Sequence, residues 1–173
     1  MIILGIDPGT RRTGFGFVSI KGGVLRHVES GVVAPKRGAP LPERLLEIYR
    51  ELLELIERHR VTHSQWVPTM FVRMLKLPDE ERTRHDLSSH RVAIHAAAPC
   101  PVEVKRRMIE WWGPVIHETY SASDGGIGTL ISSEEWLEKP GGSTLIATSR
   151  PSTVSRARKT SPIPPEPIFS IIL

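Results

Sequence analysis

The sequence predicts an α/β fold: a mixed sheet with helices packed against it. Three observations predict it. Ile2, Ile3, Leu4 and Ile6 make a near-continuous β-favouring run, Leu41 to Ile56 repeats apolar residues every three or four positions, and strand-like and helix-like stretches alternate between Arg91 and Tyr120.

The opening run reads as a strand buried on both faces, ended by Pro8-Gly9 directly after Asp7. That places one carboxylate at the rim of the core, where it could serve Mg²⁺, or where it could simply form a turn ahead of Pro-Gly. Gly14 to Ile20 reads as a second strand, Lys21-Gly22-Gly23 as a hairpin turn and Val24 to Val33 as a third strand. After a loop from Pro35 to Pro42, Leu41, Leu45, Ile48, Tyr49, Leu52, Leu55 and Ile56 predict a helix over 41–59 whose apolar stripe packs on the sheet. A helix is expected from Pro68 to Leu77, then an acidic, solvated loop at Asp79-Glu80-Glu81. A short strand follows from Arg91 to His95, a turn over 96–101, a helix from Val102 to Trp112 and a strand from Val115 to Tyr120. From Lys139 onward, six prolines and ten Ser/Thr in 35 residues predict a disordered tail.

With 173 residues there is room for one domain, or for a small domain and a tail. The single cysteine, Cys100, excludes an internal disulfide. The start of the chain lacks the pattern of a signal peptide, and the expected location is the cytoplasm. Residues 1–60 carry 10 Lys/Arg against 7 Asp/Glu, residues 61–138 carry 8 against 11, and residues 139–173 carry 5 against 1. Only the two ends are basic, so the charge is weak support for nucleic acid.

The stretch LGIDPGTRRTGFGFV resembles the opening of the RuvC-type Holliday junction resolvases. The resemblance covers residues 1–60. It implies the first half of an RNase H-like fold, a Mg²⁺-dependent endonuclease acting on a four-way DNA junction in recombination and repair, and a homodimer. In that chemistry acidic or His groups hold two Mg²⁺ ions, which activate water and stabilise the leaving oxygen. Only Asp7 carries over as a catalytic, metal-binding residue. The segment Val61 to Val67, where a second acid is expected, has none. The implied nuclease is therefore catalytically incomplete.

The stretch VPTMFVRMLKLPDEERTRHDLSSHRVAIHAAAPCPVEVKRRMIEWWGPVIHETY resembles an internal part of the fatty-acyl-CoA ligases, adenylate-forming enzymes of the AMP-binding superfamily. This resemblance covers residues 66–138. It implies that Ala96, Ala97 and Ala98 present backbone to an acyl-adenylate, that the Tyr120 ring stacks on adenine, and that Ser123, Asp124 and Gly125 stand near phosphate and Mg²⁺. Ser121 replaces a usual Gly and Asp124 a usual Glu. ATP or AMP and CoA are the cofactors implied. The family's phosphate loop and its carboxy-terminal catalytic lysine have no counterpart in the sequence, so this reading describes a fragment.

The two resemblances meet near His59 to His63, and the chain reads as composite, divided 1–60, 61–138 and 139–173. A third reading is a non-catalytic α/β module that binds nucleic acid loosely through its basic ends. The seven histidines lack zinc-ligand spacing, Trp111 and Trp112 are expected to pack rather than stack on bases, and Cys100 is expected to pack.

Overall fold

The computed structural model describes residues 1–121, 128–142 and 145–146. Its strands are β1 (Ile2–Asp7), β2 (Thr13–Lys21), β3 (Val24–Val33), β4 (His63–Trp66), β5 (Val92–His95), β6 (Ile116–Ser121), β7 (Gly128–Ile131) and β8 (Leu145–Ile146). The helices are α1 (Leu41–Arg58), α2 (Pro68–Met74), α3 (Asp79–Thr83), α4 (Val102–Trp112) and α5 (Ser133–Glu138). All eight strands form one sheet, in the order β3-β2-β1-β4-β5-β6-β7-β8. The expected three-strand meander, long helix and β-α-β unit are all present.

The meander is antiparallel, with Ile2 opposite Ser19 and Asp7 opposite Gly14. Its hairpin turns at Gly22 and Gly23, whose φ of 58° and 76° suit residues without a Cβ. From β1 onward the sheet is parallel: Ile3 pairs with His63, His63 with Val92 and Ala93 with Ile116. Each crossover in the series β1, β4, β5, β6 steps the same way across the sheet. Right-handed crossovers all taken in one direction deliver their helices to one face.

That face holds the core. Leu4 and Phe17 of the sheet meet Ile48, Tyr49, Leu52, Leu53, Leu55 and Ile56 of α1, and the same cluster runs on through Trp66, Met70, Phe71, Ala93, Met108, Trp112 and Trp136. Trp66 packs edge-on against Trp112, with ring centroids 5.2 Å apart. One hydrophobic core therefore spans both stretches of resemblance. Trp112 is buried as expected, and Trp111 donates its indole N–H to the Arg82 carbonyl at 2.9 Å.

Two expectations need correction. Asp79-Glu80-Glu81 is not a solvated loop but the start of α3, and Glu81 is buried. Its carboxylate accepts two hydrogen bonds from the Arg50 guanidinium on α1, at 2.6 and 2.9 Å, and lies 3.1 Å from Arg84. Pairing with cations lets a carboxylate leave water, and it holds the Glu81 carboxyl below its usual range. The second correction concerns residues 145–146, which form β8 on the edge of the sheet rather than part of a disordered tail. Residues 147–173 lie outside the described residues.

The α5 helix lies outside the elements expected from the sequence, although Ser132 and Glu135 carry its signal. Ser132 Oγ accepts from the Glu135 N–H at 3.2 Å, and Glu135 Oε2 accepts from the Ser132 N–H at 3.1 Å. This is a complete capping box. Ser132→Ala is expected to lower stability by about 1 kcal/mol, read as a shift in the denaturant midpoint.

Candidate functional site

Asp7 stands at the carboxyl end of β1 with its side chain exposed. The chain turns sharply behind it. Thr13 Oγ1 donates to the Gly9 carbonyl at 2.8 Å and closes the loop, and a Cβ on Gly9 would lie 2.1 Å from the Arg12 carbonyl oxygen. Only glycine fits there. Opposite Asp7, a Cβ on Gly14 would rest 3.4 Å from the Asp7 Cβ, so the absence of a side chain at 14 keeps the carboxylate uncovered. Asp7 opens onto a shallow groove of about 590 Å³ floored by Gly5, Gly14, Gly16 and Gly31 and edged by Ser30 and Val32. Arg11 and Arg12, both exposed, flank it on the loop.

No acid joins Asp7 from the neighbouring parallel strand. The residues of β4 are His63, Ser64, Gln65 and Trp66, and the exposed one, Gln65, lines the next groove with Gly5 and His27. Ser64 turns inward instead: its Oγ accepts from the Trp66 indole N–H at 2.7 Å and pairs with His90 Nε2 at 2.9 Å. Among the described residues, no three His, Cys, Asp or Glu side chains gather where they could hold a metal ion.

The second set of expected site residues lies at the carboxyl ends of β5 and β6. Ala96 leaves β5 with its N–H on the Trp66 carbonyl at 3.3 Å, and Ala97 and Ala98 are exposed. Ala97 has φ +70°, a left-handed conformation that costs an alanine on the order of 1 kcal/mol and needs its surroundings to hold it. Tyr120, 76% exposed, offers a free ring at the end of β6. Ser123, Asp124 and Gly125 lie outside the described residues. β4 and β5 separate β1 from β6, so Asp7 and Tyr120 belong to different stretches of the same rim.

Beside His95, at the end of β5, sits a buried polar group that no sequence pattern announced. Lys105, fully buried on α4, donates to Glu118 Oε2 at 2.9 Å, and its ammonium lies 4.9 Å from the centre of the Trp136 ring. His95 Nε2 is 3.7 Å from the same oxygen. Burial holds the His95 imidazole down to about 4 and pushes the Cys100 thiol up to about 11. Cys100 is therefore a protonated packing group and not a nucleophile.

Residues 28–153 match the family model of the AMP-binding enzymes. The chain belongs to that family. The match begins earlier than the resemblance read from the sequence, within β3, so the chain shares with this family the segment carrying α1 as well as β4 to β6. It is also similar to crossover junction endodeoxyribonuclease RuvC of Pelotomaculum thermopropionicum, 46% identical over 63 residues, which are 36% of this chain and 38% of the relative. RuvC of Azorhizobium caulinodans is 35% identical over 112 residues, 62% of this chain and 65% of the relative. That second match runs well beyond a third of the chain. The N-terminal domain of FACL13 from Mycobacterium tuberculosis has a TM-score of 0.46 and 26% identity, over 53% of this chain and 23% of that one. The chain spans less than two thirds of the length of the RuvC relatives it matches. Two lines of relatives in one AMP-binding family chain make it composite.

Proposed function

We propose that the chain is a RuvC-like DNA-junction protein whose nuclease site is catalytically incomplete. The observation that carries this is Asp7 itself: an exposed carboxylate at a strand end, kept uncovered by Gly14 and flanked by Arg11 and Arg12, with Gln65 rather than an acid on the strand beside it. One carboxylate cannot hold two Mg²⁺ ions, so the donor set does not fit a two-metal centre, and no cleavage step is assigned to it. What the site can do is bind. Arg11 and Arg12 are placed to meet backbone phosphates, and the glycine-floored groove admits the backbone closely.

The test is Mg²⁺-dependent binding and cleavage of a four-way junction against a linear duplex, with Asp7→Asn as control. Junction-preferring binding is expected, with cleavage at background for both proteins. Junction cutting that Asp7→Asn abolishes would mean that acids elsewhere complete the site, and would overturn the incompleteness. Equal affinity for both DNAs, steeply lost with salt and indifferent to Asp7, would leave only a loose nucleic-acid binder.

A second reading is favoured by a specific observation. The family match and the exposed Tyr120 beside the left-handed Ala97 support a residual adenylate pocket, with ATP or AMP as ligand and the ring of Tyr120 stacked on the base. Under it, ATP binding followed by calorimetry falls at least about tenfold in Tyr120→Ala, the scale of one lost aromatic stack. CoA chemistry belongs to the complete ligase and is not assigned to these residues. The cytoplasm remains the proposed location; among the described residues no helix is long and apolar enough to cross a membrane.

A further inference from the structure

The core and the helices that build it occupy one face of the sheet. Leu4 and Phe17 point into that core, so Ile3, Gly5 and Asp7 on β1 and Gly14, Gly16 and Val18 on β2 point to the other face. The middle of that face is open. A Cβ added at Gly5 would meet no described atom within 4 Å, and one at Gly16 would meet only Ser30, at 3.9 Å. The groove beside Asp7 and a second one of about 310 Å³, lined by Ile3, Val18, His27 and Gln65, share Gly5 and Gly16 as their floor. Together they make one trough, apolar at the Ile3 and Val18 end and bounded at the other by Asp7 and the exposed Arg11 and Arg12.

The chain's own sequence contains a segment that matches this trough. In Ile168-Phe-Ser-Ile-Ile-Leu173, the period of two of an extended chain would put Phe169, Ile171 and Leu173 on one side. Glu166, three residues before Phe169, is the one acid in residues 147–173. β4, β5 and β6 are parallel to β1, and the two steps from β6 to β8 are both antiparallel, so β8 runs the same way as β1. The chain beyond Ile146 therefore sets out from the rim that carries Asp7. Five strand spacings, about 24 Å, separate β8 from β1. Twenty residues separate Ile146 from Glu166, and a linker of that length spans on the order of 25 Å. A linker whose span matches the distance gives the highest effective concentration at the site.

We propose that residues 166–173 of this chain lie along the trough and cover it. Phe169 rests on the floor of Gly5 and Gly16, where the missing side chains leave room for a ring. Ile171 then meets Ile3 and Val18, because a two-residue step along the segment, about 7 Å, equals the step from Gly5 to Ile3 along β1. Glu166 falls at the other end, against Arg11 and Arg12. Acid, aromatic ring and aliphatic side chain thus follow the order of cations, glycine floor and aliphatic wall, which is why this segment is the occupant. In one respect the inference rests on the DNA-junction reading: the covered trough is the groove proposed for DNA, so the segment acts as a brake on that binding.

The test is disulfide trapping in the full chain, with Cys100→Ser to remove the native thiol. Ile171→Cys with Val18→Cys is expected to close an intramolecular disulfide at least about tenfold faster than Ile171→Cys with Val102→Cys, whose partner is exposed on α4. Adding Phe169→Asp should slow the first pair to the rate of the second. Should Val18→Cys unfold the chain, as circular dichroism would show, the exposed His27→Cys on the same groove takes its place. Equal rates for the two pairs, or a disulfide joining two copies at twice the 19.3 kDa mass, would overturn the proposal. Affinity for a four-way junction is read separately. Phe169→Asp in the native chain should raise it at least about threefold, although the substitution adds a negative charge. Trapping at Val18 with no change in junction affinity would uphold the cover and count against the DNA reading instead.

Discussion

Between pH 7 and pH 4 the chain is expected to lose several kcal/mol of stability, most of it through two histidines. His90 and His95 are 6% and 0% exposed, and burial lowers each from an ordinary 6.5 to about 4. The unfolded chain takes up both protons as the pH falls through 6.5, while the folded chain resists until about 4. Stability present above pH 6.5 is therefore lost across that window, at about 3 kcal/mol for each imidazole. His90 lies flat on Trp112, with ring centroids 4.9 Å apart, and His95 stands edge-on to Phe71 at 5.6 Å. Neither ring has room for a solvating shell. Denaturant titrations at successive pH values check this, and His90→Phe, which keeps the stack, should remove about half of the slope. A stability that stays flat from pH 7 to pH 4 would mean that the rings are wet. The carboxylates depressed by their partners, Glu57 by His85 and Glu81 by Arg50, act in a separate window, below their usual 4.5.

The other large effect is expected at Lys105. Its ammonium is fully buried and its hydrogen-bond partner is Glu118 on the next strand. Glu118→Ala leaves that charge without compensation and should cost about 3–5 kcal/mol. Replacing both ends, as Lys105→Met with Glu118→Leu, removes the desolvation problem itself and should return stability to near the starting value or above it. The two midpoints in urea decide the matter. A single variant no less stable than its parent would show that the pair is solvated.

The sequence shows local patterns well and long-range pairings poorly, and particular residues say why. The apolar stripe of α1, the Gly22-Gly23 turn and the helix from Val102 to Trp112 are local in origin, and each forms where the pattern puts it. Asp7 at a strand end, and the want of a second acid between Val61 and Val67, could also be read directly. Glu81 could not, because its partner Arg50 lies 31 residues upstream on another helix. The same holds for Lys105 and Glu118, which meet only when α4 crosses from β5 to β6. A buried lysine looks like any other in a row of Glu, Lys and Arg. The Ser132 and Glu135 box is a local signal, a Ser followed three residues later by a Glu. That Ala97 takes a left-handed φ has no signature at all in a run of three alanines.

The place of β1 in the strand order bears on how the chain meets the ribosome. β1 is an interior strand, flanked by β2 on one side and β4 on the other. β2 arrives within a few residues. The other flank stays bare until His63–Trp66 has emerged, with a hairpin and an 18-residue helix synthesised in between. Throughout that interval the nascent polypeptide shows an apolar, unzipped seam along Ile2, Ile3 and Leu4. Until β4 is made, that seam is an open sheet edge available for strand addition.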